Sequence, residues 1–175
     1  GNVNFIEFFP DGKVSVNPIT MSENCKKELH DNMLMFYTGV SRDASMILKK
    51  QMNDMNNKGK FKIFIQMAEL AEELKARLNK NDITAFGKIL NKGWELKKKL
   101  SGDITNSAID LYHKKAIKSG ASGGKLLGAG GGGFLLLYAD RRKHKKIRKE
   151  LKNLIELPFR FDYEGSKIIY FADGN

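Results

Sequence analysis

The sequence predicts an α+β domain: a mainly antiparallel sheet with helices packed on one side. Three observations carry this expectation. Strand-like runs collect towards the two ends of the chain, helical periodicities fill the middle, and a glycine-rich run is joined directly to an apolar strand. Strands and helices segregated in this way favour an antiparallel sheet over the strict alternation of βαβ units.

Taken in order, Val3 to Phe9 and Lys13 to Val16 read as a hairpin across Pro10-Asp11-Gly12, because Pro presets φ and Gly accepts the left-handed position. Met33 to Tyr37 is a third strand. Helix signals begin near Ser41. Phe64, Met67, Ala71, Leu74 and Leu78 then line one face of a second helix, and Asp82 is placed to cap a third that carries Phe86, Leu90 and Trp94. Gly59, Asn79 to Asn81 and Ser101-Gly102 punctuate the joins. A fourth helix runs from about Ile104 to the Gly stop at Ser119-Gly120. Lys125 to Leu127 enters the glycine run as a strand, and Phe134 to Tyr138 leaves it as a strand apolar enough to be buried on both faces. Ile147, Leu151, Leu154 and Ile155 mark a last helix, after which Phe159 to Tyr163 and Lys167 to Phe171 pair across Glu164-Gly165-Ser166.

At 175 residues the chain fits one domain, residues 1–175. Its one cysteine, Cys25, excludes an internal disulfide and suits a reducing cytoplasm; three scattered histidines offer no His/Cys metal site. No apolar run approaches the ~20 residues of a membrane span, and there is no secretory signal pattern, so neither a membrane nor export is expected. The chain opens on Gly-Asn-Val-Asn-Phe with a strand pattern and no initiator Met, which leads us to expect a fragment. The net charge of +11 invites a nucleic-acid reading, and a stand-alone basic binding module is one alternative. Yet Lys97 to Lys99, Lys114 to Lys118 and Arg141 to Lys146 fall on the polar faces of amphipathic helices with no interleaved aromatics for stacking, so solvated faces and no nucleic-acid partner are expected.

The chemistry is concentrated in the six small residues Gly128, Ala129, Gly130, Gly131, Gly132 and Gly133. Gly128 and Gly130 to Gly133 allow positive φ and let backbone N–H groups approach an anion or a neighbouring loop; a tight bend whose glycines only avoid clashes is the alternative. Acids such as Asp43 and Asp110, at helix starts, read as caps.

The segment Gly124-Lys-Leu-Leu-Gly-Ala-Gly-Gly-Gly-Gly-Phe resembles the third motif of the GHMP kinases, the group of galactokinase, homoserine kinase, mevalonate kinase and phosphomevalonate kinase. Phe36-Tyr-Thr-Gly-Val-Ser-Arg-Asp-Ala-Ser45, Ile104-Thr-Asn-Ser-Ala-Ile-Asp110 and Gly120 to Gly130 resemble the sugar-kinase branch that phosphorylates D-glycero-D-manno-heptose 7-phosphate at its anomeric position. The opening Asn-Phe-Ile-Glu-Phe-Phe matches the start of that branch's C-terminal half.

The resemblance implies an ATP-dependent sugar kinase supplying bacterial surface-polysaccharide (lipopolysaccharide) precursors, with a kinase for another acceptor such as fucose as the alternative. In this family the main ATP loop, Pro-x-x-x-Gly-Leu-Ser-Ser, the catalytic acid and the Mg2+ ligands lie in an N-terminal domain, and nothing here matches that loop. ATP, Mg2+, a sugar phosphate and that domain are the implied cofactors and partners, and the isolated chain is expected to be inactive. The residues from Gly128 to Gly133 would support the phosphate loop across a cleft. Thr38-x-x-x-Arg42 matches a pattern that contacts the acceptor in homoserine kinase-like relatives. Arg42 would hold a phosphate with its planar fork or pair with Asp43; Ser41 would donate to the same ligand or cap the next helix.

Overall fold

A computed structural model describes residues 3–39, 58–128 and 130–171. Through them the chain forms β1 (Asn4–Phe8), β2 (Val14–Pro18), α1 (Glu23–Asp31), β3 (Met33–Tyr37), α2 (Lys58–Leu78), α3 (Phe86–Leu100) and a 3-10 turn (Gly102–Ile104). There follow α4 (Ser107–Lys118), β4 (Gly123–Leu127), β5 (Phe134–Tyr138), α5 (Arg141–Glu150) and β6 (Ile155–Glu156). The helix expected near Ser41 lies outside the described residues.

β1 and β2 form the expected hairpin, with Phe8 opposite Val14 and Gly12 at φ +83° in the turn. The exit from β2 is tied to the end of α2: the amides of Thr20 and Ser22 donate to the side-chain oxygens of Asn79 and Asn81 at 2.9 and 2.7 Å. The main sheet has strand order β4-β5-β3-β6, antiparallel throughout.

Alternation along the strands divides it into two unlike faces. Leu126, Leu135, Leu137, Leu34 and Phe36 share one face, where Ala116 of α4, Ile147 of α5 and Leu151 just beyond it close the core. The α+β class with helices packed on one side is what the sequence predicts. Lys125, Leu136 and Met35 lie in register on the other face, half-buried. The strand expected to be buried on both faces is therefore buried mainly on one, and its first residue, Phe134, is 38% exposed. The apolar run came from one deep face and one partly covered face.

α3 runs along the edge strand β4 at close range. A Cβ on Gly123 would lie 1.8 Å from the carbonyl oxygen of Gly87, so only glycine permits the contact. Trp94 of α3 is buried with Leu100, Ile104, Ile109 and Leu126, and α2 lays Ile63, Phe64 and Met67 against them. Each such buried side chain contributes about 1.5–3 kcal/mol of transfer free energy. On α2 the expected face holds except at Ala71, which is exposed.

Other boundaries shift for local reasons. Asp82 accepts from the amide and hydroxyl of Thr84 and pairs with Arg77, a turn ahead of the helix; α3 starts at Phe86, its N-cap Ala85 making no side-chain hydrogen bond. Ile104 sits in the 3-10 turn, and α4 begins after Asn106, whose side chain accepts from the amide of Ile109. Gly120 ends α4 at φ +108°, with Ala121 N–H donating to Ala116 O and Gly120 N–H to Ile117 O. α5 stops at Glu150; Leu154 packs on the core beyond it and Ile155 opens β6. Phe159 to Tyr163 and Lys167 to Phe171 form no strands. Phe159 and Phe161 instead pack edge-on against His30, at centroid distances of 5.3 and 5.5 Å.

Candidate functional site

The loop between β4 and β5 is held from three sides. Gly128, Gly130, Gly131 and Gly133 take positive φ; Gly132, expected to do so, does not. Beneath the loop lies the 3-10 turn: Gly131 N–H donates to Ile104 O at 2.9 Å, and Asn106 Nδ2 donates to Gly131 O at 3.3 Å. A Cβ on Gly130 would stand 2.8 Å from Ile104 Cα, so the two backbones touch. On a second side Thr38, one residue beyond β3, donates through its amide and its Oγ1 to Gly133 O at 2.9 and 2.8 Å. On the third, Lys97 Nζ donates to Gly128 O at 2.7 Å.

The described residues of the loop are thus tethered to three neighbouring segments. Gly130, Gly131 and Gly132 are buried, and the described residues offer no acceptor to the amides of Gly130 and Gly132. Amides fixed without an acceptor suit an incoming anion.

Of the residues the sequence singles out, Thr38 and the loop glycines come together; Ser41, Arg42, Ala129 and Asp43 lie outside the described residues. Asp110, in the first turn of α4, accepts from Thr105 Oγ1 at 3.1 Å and faces Lys98 Nζ at 3.5 Å; it is not the cap the sequence suggested, because Asn106 takes that position. Among the described residues no three His, Cys, Asp or Glu side chains gather to hold a metal ion.

Sequence reasoning missed Asn106, Lys97 and Lys125. Lys97 was grouped with solvated lysines, yet it lies three residues from both Trp94 and Leu100 and so shares their inward stripe, a signal present in the periodicity. Lys125 is half-buried in β4 opposite Leu136. Burial, with the nearby Lys125 charge, holds Lys97 below the usual lysine range; burial alone does so for Lys125.

Chemically the arrangement presents amides and ammonium groups. It can neutralise and orient an anion, but the described part offers no nucleophile or base at the loop. Such positioning is most of what protein contributes to phosphoryl transfer.

Comparison with known proteins identifies the family. The family model for the GHMP kinases C terminal matches residues 67–156, from α2 through β6. The D-glycero-alpha-D-manno-heptose 7-phosphate kinase of Campylobacter jejuni is 30% identical over 171 residues, covering 95% of this chain and 50% of that protein. The bifunctional fucokinase/GDP-fucose pyrophosphorylase of Arabidopsis thaliana is 29% identical over 159 residues, 88% of this chain and 15% of that protein. Among solved structures, a D-glycero-D-manno-heptose 1-phosphate kinase from Bacteriodes thetaiotaomicron superposes with a TM-score of 0.58 at 27% identity, covering 90% of this chain and 42% of that one. The chain spans about half the length of the heptose kinase it matches. On the matched model and on the loop it frames, the chain belongs to the GHMP kinases and contains their C-terminal domain.

Proposed function

We propose that residues 1–175 are the C-terminal half, one domain, of an ATP-dependent sugar kinase that phosphorylates D-glycero-D-manno-heptose 7-phosphate at its anomeric hydroxyl. The observation that carries the reading is the 30% identity to a heptose 7-phosphate kinase along 95% of the chain. In the reaction the anomeric oxygen forms a bond to the γ-phosphorus, the bond to the β-γ bridging oxygen breaks, ADP leaves, and the hydroxyl proton passes to a base in the N-terminal half. This chain's share is positioning. The amides from Gly128 to Gly133 support the donor phosphates across the cleft, while Thr38 keeps the loop in place and, with Ser41 and Arg42, lines the acceptor side.

Mg2+ serves such reactions by neutralising phosphate charge; we assign none of its ligands to the described residues, which gather no acidic cluster. The proposed setting is the cytoplasm, with no part for nucleic acid or membrane; among the described residues no helix is long and apolar enough to cross a bilayer. The fucokinase relative favours a second acceptor, fucose.

The deciding experiment is ADP release by the full-length enzyme offered heptose 7-phosphate or L-fucose, with 31P NMR of the product. Heptose turnover with an anomeric phosphate is the expected result; turnover of fucose alone would replace the acceptor, and turnover of neither would end the sugar-kinase reading. The isolated 175-residue chain is expected to release no ADP.

A further inference from the structure

Two half-buried lysines flank the glycine loop, and the mechanism above uses neither as a ligand. Lys97 comes from the inner stripe of α3 and Lys125 from the centre of β4. Lys97 reaches the start of the loop at Gly128 O, 2.7 Å away, and Lys125 stands three residues before Gly128 on the strand that enters the loop. Like charges partly withdrawn from water at one end of a sheet oppose folding unless something negative meets them. Cations elsewhere either stand in water, as on α5, or meet an acid: Lys27 pairs with Asp31 at 2.6 Å, Arg77 with Glu73 at 2.9 Å, Arg142 with Asp140 at 2.7 Å, Arg148 with Glu156 at 2.7 Å. The described residues bring no carboxylate to Lys97 or Lys125.

We propose that Lys97 and Lys125, with the amides of the glycine loop, form a binding site for a phosphate-class dianion. This rests on the phosphoryl-transfer reading and deepens it. An ammonium carries three donors; Lys97 spends one on Gly128 O, so five N–H groups remain between the two residues. That number and the double charge suit the terminal oxygens of a phosphate better than a single carboxylate. A lysine that merely tethered the loop would account for Lys97 and leave Lys125 unexplained. The same chemistry has two sources, a phosphate of the nucleotide donor or the phosphate ester of the acceptor sugar.

The test uses the full-length enzyme and inorganic pyrophosphate as probe, with affinity measured calorimetrically at fixed ionic strength in the absence of turnover. Lys97→Met and Lys125→Met are each expected to weaken pyrophosphate binding roughly 10-fold or more, as for loss of a charge-assisted contact. Lys125→Arg, which keeps the charge, should retain most of it, and Lys152→Met, at an exposed position beyond α5, should change nothing. Steady-state kinetics then separate the sources. A raised KM for ATP alone identifies the donor phosphate, and a raised KM for the sugar phosphate alone identifies the acceptor. Unchanged pyrophosphate affinity in both methionine variants, or no binding by the wild-type enzyme at millimolar probe, overturns the site. If Lys125→Met does not fold, the Lys97→Met and Lys125→Arg results decide. Binding lost in the variants of an enzyme that turns over no sugar would remove the kinase reading and leave the site standing. Unchanged binding in the variants of an active sugar kinase would do the reverse.

Discussion

α5 and the glycine-loop end of the sheet both carry lysines, and they use them in opposite ways. On α5, Lys143, Lys145, Lys146 and Lys149 stand in water, and Arg142 and Arg148 find carboxylates beside them. At the loop, Lys97 and Lys125 are half-buried and without an acid among the described residues. Exposed cations cost almost nothing and say little about partners; exposed pairs contribute at most about 1 kcal/mol. Partly desolvated cations without a counterion are held against their own preference. The net charge of +11 is thus uninformative in bulk, and the informative charges are those the fold pays to hide.

The largest expected effect tests whether the loop end is a fixed frame and α5 a tolerant surface. Gly130→Val would put a β-branched side chain where φ is +130° and where even a Cβ stands 2.8 Å from Ile104 Cα. Strain and overpacking together are expected to cost about 2–5 kcal/mol in urea unfolding. Gly128→Ala meets nothing within 4 Å, so its φ of +89° alone should cost about 1 kcal/mol. Lys146→Val on α5 should stay within about 0.7 kcal/mol, its helix-propensity term. Equal losses at Gly130 and Lys146 would erase the distinction.

A middle effect concerns charge itself. With no anion in the buffer, Lys125→Met should raise stability by about 1 kcal/mol, because it removes a partly desolvated charge and keeps the stem. Lys146→Met should leave it within about 0.5 kcal/mol. The pH dependence has a definite sign. The folded protein holds Lys97 and Lys125 below the usual lysine range, so it prefers their neutral forms, and stability should grow as pH rises through the folded values towards the unfolded one of 10.5. Unfolding curves at pH values between about 8 and 10 would show that rise in the wild type and a smaller one in Lys125→Met. Destabilisation by Lys125→Met in phosphate-free buffer would show that its ammonium is already compensated, and the two lysine regions would no longer differ.

The fold was largely legible because its signals are local. β3 and β5 were read to the residue from apolar runs, and Gly120 stopped α4 where expected because its φ of +108° suits glycine alone. Legibility failed where distant residues decide. Phe159 to Tyr163 has a strand's alternation, but the rings of Phe159 and Phe161 are used on His30, a partner 129 residues away from Phe159 that no pattern announces. Asp82 reads as a cap, and its oxygens are taken by Thr84 and Arg77. At the site, the glycine run was unmistakable, since few other reasons exist for so many glycines before a core strand. That it rests on Ile104 and Asn106, and that Thr38 holds its end, depends on which loops meet at the sheet's edge.

The smallest effect comes from His113, a buried group beside neither loop nor α5. Its Nε2 has no hydrogen-bond partner among the described residues, and its ring lies 6.4 Å from that of Trp94. Burial, reinforced by the charge of Lys98, holds it below its ordinary value of 6.5, while Glu95, Asp110 and a hydrogen bond to the Gly124 backbone act the other way. A folded pKa below the unfolded one means the native state prefers the neutral ring. Its contribution is therefore complete above about pH 6.5 and is lost as pH falls through that value towards the folded one. Between about pH 7 and 5, before the low-lying carboxylates of Asp31 and Asp82 protonate, the loss should be about 1 kcal/mol or less, since Glu95, Asp110 and the Gly124 hydrogen bond offset part of the burial. His113→Asn should flatten that part of the urea-stability profile. The Lys125→Met profile should keep it, because His113 is on the opposite face of β4, against Gly124. If Lys125→Met flattened the acid limb as well, the two buried groups would share one electrostatic environment, and the loop end of the sheet would have to be treated as extending through β4 to α4.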